Sequence, residues 1–204
     1  MTTLGIKLAL LSFWMPKYLL SRELSVVSNK TTQALKEALR VHAPNAQVKN
    51  ESPPLVGSID EKRVAMAKQH AVLVDSLVGA LGQEVAVQVG REALFAIGEE
   101  LGKQNRVRLG VGNSPADLMK AAKIMYRVLG INFNVEWQDP NNATVKVDRC
   151  ALAQNYSELT CQVLSATDEG VVHGLNPHMN LKFESQITGG CKVCTAKITR
   201  RKQP

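Results

Sequence analysis

Aromatic residues are scarce in this chain, making up only 4% of its 204 residues. That scarcity argues against a platform on which nucleic-acid bases stack. No recognition-helix pattern is present either, so a nucleic-acid partner is not expected. Long apolar runs are also missing, and no stretch reaches the roughly 18 residues of a membrane span. The nearest candidate, "KLALLSFWMPKYLL", has an apolar run from Leu8 to Met15 bounded by Lys7 and Lys17 and broken at Pro16. No small-residue cleavage site follows it, so it reads as a docking helix against the domain or a partner rather than an export signal. Cysteines number only four. A chain of this length can bury its core without disulfide staples, and the expected setting for the thiols is a reducing cytoplasm.

What is abundant is aliphatic side chain and positive charge. The formal net charge is +7, and it is concentrated at the end. From Lys182 onward six basic residues face one acid, Glu184, which suits either an anionic ligand, bound thiolates or a solvated tail.

The stretch 43–57, "APNAQVKNESPPLVG", collects Pro, Asn, Gly and Ser and reads as a linker. It separates an N-terminal helical arm (1–57) from the main domain (58–204). The domain opens on Ser58 with Glu61 three residues on, a capping box that satisfies orphan backbone donors at a helix start. A second helix fits "QEVAVQVGREALFAIGEELGKQ", in which Gly90, Gly98 and Gly102 could share a face where another helix packs closely. A third begins at Ser114-Pro115 and stops at Gly130.

The period then changes to two. "INFNVEW" and "ATVKVDRC" flank the turn residues Asp139 to Asn142 and predict a hairpin. A helical segment carrying Cys161 follows, then a second hairpin around Gly189-Gly190, with "CKVCTAKIT" as its last strand. The expected fold is α+β, with N-terminal helices packed on a roughly four-stranded antiparallel sheet of two hairpins joined by a helical segment.

Chemistry concentrates in the cysteines. Cys191 and Cys194 stand three apart, which would point them to opposite faces of a regular strand. A curled turn at Gly189-Gly190 could make them converge. With Cys150 and Cys161 they would form a four-thiolate set suited to zinc or an iron–sulfur cluster. Buried free thiols and a redox-active pair remain alternatives, since cysteine also serves as a small apolar residue. His173 and Asp168 are candidate proton carriers, although a helix-start solvated acid explains Asp168 equally well.

The segments "LMKAAKIMYRVLGINFNVEW", "VKVDRCALA", "TCQVLSATDEGVVHGLNP" and "LKFESQITGGCKVCTAKI" occur in an order that resembles a known superfamily. It holds four-vinyl-reductase-type domains and proteins similar to the L-2-amino-thiazoline-4-carboxylic acid hydrolases. Cys150, Cys161, Glu184, Gly190 and Cys194 match its pattern, whereas Ile187 stands where a cysteine is usual and Cys191 is additional. The resemblance implies helices on an antiparallel sheet, a small-molecule pocket between them, a homodimer through N-terminal helices and a metal-associated cysteine cluster. Two functions are therefore expected: a ligand-binding or sensor protein with a metallocentre at Cys150, Cys161, Cys191 and Cys194, or a hydrolase of a small cyclic C–N or C–S substrate. In the hydrolase, Cys150 or Cys194 would act as nucleophile or zinc ligand, and His173 and Asp168 would assist proton transfer. An interaction scaffold is the third possibility.

Overall fold

The computed structural model of the chain describes residues 14–46 and 55–201. Most of the Leu8 to Met15 run and much of the 43–57 linker lie outside the described residues. Five helices come in the order α1 (Lys17–His42), α2 (Ile59–Leu81), α3 (Gln83–Leu109), α4 (Pro115–Leu129) and, after the first hairpin, α5 (Glu158–Leu175). The strands are β1 (Ile131–Asp139), β2 (Asn142–Cys150), β3 (Met179–Ser185) and β4 (Cys194–Arg200).

Local chemistry sets most of these boundaries. The capping box forms as expected: the Ser58 hydroxyl accepts from the Glu61 amide at 3.3 Å, and the Ser58 amide donates to Glu61 Oε2 at 2.7 Å. Ser114 caps α4 through the Asp117 amide at 3.1 Å, and Ser157 caps α5 through the Thr160 amide at 3.1 Å. Gly130 ends α4 at φ 71°, a left-handed angle open to glycine at little cost. Asp139 closes the first hairpin by accepting from the Asn141 amide and the Asn142 side chain, both at 2.7 Å.

The sheet order is β1-β2-β4-β3 with every pairing antiparallel. Both expected hairpins are present and lie side by side, β4 pairing with β2 and β3. Alternation puts Ala143, Val145 and Val147 of β2 and Cys194, Ala196 and Ile198 of β4 on the buried face. That face packs with Leu118, Ile124 and Val128 of α4 and Val172 and Leu175 of α5 in one core cluster. A second cluster joins the helices, with Leu35, Leu73, Leu77, Leu94 and Val163 fully buried.

The glycine face on α3 is real and has a matching one on α5. A Cβ built on Gly102 would stand 2.8 Å from Gly174 Cα, and one on Gly174 would stand 2.8 Å from the Lys103 backbone nitrogen. Gly98 and Gly170 are equally crowded by the backbones of Thr167 and Glu99. The two helix backbones touch because no side chain separates them, much as small residues allow close crossings elsewhere.

Among the described residues one helix, α2, is long and apolar enough to cross a membrane by length and composition. Its buried side chains, Met66, Ala67, His70, Leu73, Val74 and Leu77, are instead built into the protein core.

Candidate functional site

The first half of α5 carries Cys161, Leu164, Ser165 and Asp168 at i, i+3, i+4 and i+7, which brings them onto one stripe. That stripe, the buried face of the sheet and the facing sides of α1, α2 and α4 enclose a cavity of about 80 Å³. Aliphatic and aromatic groups make up most of its wall, including Met66, Leu129, Val147, Leu152 and Phe183. Polar groups converge at a few points only: Asp168, Tyr126, His70, Tyr156 and the thiols of Cys150, Cys161 and Cys194.

Asp168 lies in the middle of α5, so the helix-start solvated acid considered above is not what forms. Its uncovered surface lines the cavity. Burial pushes its carboxyl up to about 7, helped by the neighbouring Glu169 charge and opposed by a hydrogen bond from the Tyr126 hydroxyl that favours the charged form. Tyr126 is held by the ring of Phe133 on β1, their centroids 4.9 Å apart. Burial raises the Tyr126 hydroxyl well above its usual value, so it stays a donor. Asp168 and Tyr126 also line a second cavity of about 60 Å³, together with Glu23, Asn105 and Thr167. The Asp168–Tyr126 pair thus stands between the two spaces.

On the opposite wall His70 Nε2 lies 2.8 Å from Thr31 Oγ1, and its Nδ1 lies 2.8 Å from the Tyr156 hydroxyl. Thr31 Oγ1 donates to the Val27 carbonyl at 2.9 Å, which leaves His70 Nε2–H as donor to Thr31 and Nδ1 as acceptor from Tyr156. Every proton in this chain of bonds is used with the ring neutral. Burial lowers the imidazole to about 4 and keeps it neutral.

The four cysteines do not form one ligand set. Cys150, Cys161 and Cys194 line the cavity, whereas Cys191 is exposed and borders a surface groove with Arg91, Glu158 and Lys182. The curled turn does form: Gly190 takes φ 88° and the Cys191 amide reaches back to the Gln186 carbonyl. It turns Cys191 outward, however, and β4 begins only at Cys194, not at Cys191 as the alternating pattern suggested. Among the described residues no three His, Cys, Asp or Glu side chains are grouped to hold a metal ion. Desolvation raises the thiols of Cys150 and Cys194 and takes Cys161 to about 11. The residues present therefore do not fit the expected four-thiolate zinc or iron–sulfur centre.

The same burial bears on Cys150 or Cys194 as nucleophile. Among the described residues neither has a cationic partner to lower its thiol, and the Cys194 sulfur accepts the Ile187 amide, at 3.3 Å. Alkylation at pH 7 under native conditions should therefore label Cys191 first. Cys150, Cys161 and Cys194 should react at least about 100-fold more slowly, as peptide mapping by mass spectrometry would record.

His173 is not at the cavity. Arg201 donates to its Nε2 at 2.8 Å, so Nδ1–H donates to Glu99 Oε1, also at 2.8 Å. It ties α5 to α3 and to the chain after β4. The residues that sequence reasoning missed are His70, Tyr126 and Tyr156. Their one local signal was a polar tip on an apolar stripe, as in His70 among Ala67, Leu73 and Val74.

A family model described as "L-2-amino-thiazoline-4-carboxylic acid hydrolase" matches residues 61–198. Comparison with curated proteins gives no match. Among solved structures, a trafficking protein particle complex subunit 3 from Naegleria fowleri, covalently bound to palmitic acid, aligns with TM-score 0.54 and 13% identity, over 69% of this chain and 95% of its own. An H-NOX protein from S. oneidensis in the Fe(II)NO ligation state aligns with TM-score 0.40 and 13% identity, over 90% and 98%. The likeness to the trafficking subunit is one of fold. The match over most of the chain, from the capped start of α2 to β4, makes this protein a member of the L-2-amino-thiazoline-4-carboxylic acid hydrolase family.

Proposed function

We propose that the protein is a hydrolase that opens a small nitrogen- and sulfur-containing ring inside the cavity, with Asp168 as general base and acid. The observation that carries this reading is a cavity-facing carboxyl held near neutrality by apolar walls and a single tyrosine donor. A group titrating close to the working pH both accepts and returns a proton efficiently. Family membership supports the reaction class.

The step balances with water alone. Water adds its oxygen to the ring carbon flanked by nitrogen and sulfur, and Asp168 accepts one proton and delivers it to the ring nitrogen. Collapse of the tetrahedral adduct breaks the carbon–nitrogen bond. The second water proton moves to the same nitrogen, which leaves as an amine still tethered through sulfur. Tyr126 positions the carboxyl and steadies its charged form. Cys150, Cys161 and Cys194 shape an apolar wall, and four unpaired thiols suit a reducing compartment such as the cytoplasm.

Ring opening followed by proton magnetic resonance tests the reading. Asp168→Asn should lower turnover at least about 100-fold. Tyr126→Phe should keep activity but move the rising limb of the rate–pH profile upward by about one pH unit, because the carboxyl loses the donor that stabilised its charge. Full activity in Asp168→Asn would sink the assignment.

A further inference from the structure

We infer that the cavity takes small amidine-type rings that carry no carboxylate, rather than the carboxylated ring named in the family's description. This deepens the hydrolase reading and concerns the same site.

The argument rests on what the walls contain. Among the described residues, neither cavity is lined by a lysine or an arginine. The ionisable groups that face in are Asp168 and Glu23, both acidic, together with thiols, phenols and a His70 ring that its two hydrogen bonds hold neutral. Glu23 is paired outward with Arg108 at 2.8 Å. The nearby cations are committed elsewhere. Arg63 donates to the Val128 and Arg127 carbonyls at 3.0 and 2.7 Å and to Asp60 at 2.7 Å. Arg91 binds Glu169 at 2.7 Å and Ser165 at 3.1 Å from a surface groove.

A carboxylate entering this space would lose its hydration and gain no counter-charge, and such burial is strongly disfavoured. An amidine is the opposite case. Its nitrogens can donate to Asp168, and when protonated it is matched by the Asp168 carboxylate. The Thr167 hydroxyl is a second independent feature. It is buried, has no hydrogen-bond partner among the described residues, and belongs to a residue that lines both cavities beside Asp168. An unpaired buried hydroxyl is costly unless a ligand completes it. The volume of about 80 Å³ suits one small ring.

The test compares two probes on the intact protein at pH 7 by calorimetry, with ring opening followed in parallel. These are 2-amino-2-thiazoline and L-2-amino-thiazoline-4-carboxylic acid. The carboxyl-free ring should bind at least tenfold more tightly, and Thr167→Val should weaken it severalfold. Equal or tighter binding of the carboxylated ring, or no binding of either probe at millimolar concentration, overturns the inference. Preferential binding of the carboxyl-free ring without any ring opening would uphold it and remove the hydrolase reading instead. Efficient opening of the carboxylated ring with the lower KM would do the reverse.

Discussion

Alanine at Gly98, Gly102, Gly170 or Gly174 should destabilise the protein by about 2–4 kcal/mol, the reverse of the usual effect in a helix. Within a solvated helix the change from Gly to Ala normally gains about 0.5–1 kcal/mol, because Ala has less backbone entropy to lose. Here the added methyl has nowhere to go. Built on Gly170 it stands 2.8 Å from the Glu99 backbone nitrogen, and built on Gly98 it stands 2.9 Å from the Thr167 carbonyl carbon. These neighbours are backbone, so relief requires α3 and α5 to move apart. That movement would loosen Leu94 and Val163 in the helical core cluster and shift Asp168 on the next turn of α5.

Gly79 on α2 supplies the internal control, since a Cβ there meets nothing within 4 Å. Gly79→Ala should therefore stabilise slightly while the four interface variants lose stability. Denaturant unfolding monitored by circular dichroism separates the two signs. Neutral outcomes at all five positions would refute the close crossing.

The second large effect is a pH dependence that nearly cancels in the native protein. Asp168 rises from an unfolded value of 3.8 to about 7. The folded state therefore holds the proton more tightly, and the carboxyl's contribution is full below 3.8 and lost as pH climbs through 7. The loss amounts to roughly 4 kcal/mol. His70 moves the other way, from 6.5 to about 4. Its contribution is full above 6.5 and lost as pH falls towards 4, by roughly 3 kcal/mol.

Between about pH 4 and 6.5 the two slopes oppose, so together they leave stability almost flat. Asp168→Asn removes one of them. The variant should match the native protein near pH 4, exceed it by up to roughly 4 kcal/mol above pH 7, and itself lose roughly 3 kcal/mol on acidification from 6.5 to 4. The quantity to measure is the difference between the two proteins in urea midpoint across pH 4 to 8. The surface carboxylates Glu37, Glu61, Glu99, Glu100 and Asp139, whose partners hold them low, are common to both and drop out. A difference that does not vary with pH would refute the buried state of Asp168. If Asp168 is the catalytic base, the same substitution yields a more stable and inactive protein, as expected when a functional site is held at a cost to folding.

Much of the fold is written in short-range signals. Ser58 with Glu61, Ser114 with Pro115, Gly130, the Asp139 to Asn142 turn and the period-two runs each act within a few residues. Each produced the element its local chemistry implied. The glycines of α3 announced a close crossing in the same way, and only their partner helix was left open. The cysteines mark the limit. Spacing suggested that Cys191 and Cys194 belong together, yet Gly190 turns one outward while β4 draws the other into the core.

The sequence by itself determined the helices, the hairpins and which strand faces are apolar, because caps, turns and periodicity depend on neighbours along the chain. Tertiary structure decided that β4 lies between β2 and β3, and that Asp168 meets Tyr126 beside a cavity that, among the described residues, no lysine or arginine lines. Those facts come from side chains tens of residues apart, whose meeting depends on the packing of the whole domain. The dielectric that moves Asp168 and His70 in opposite directions exists only once the packing has excluded water.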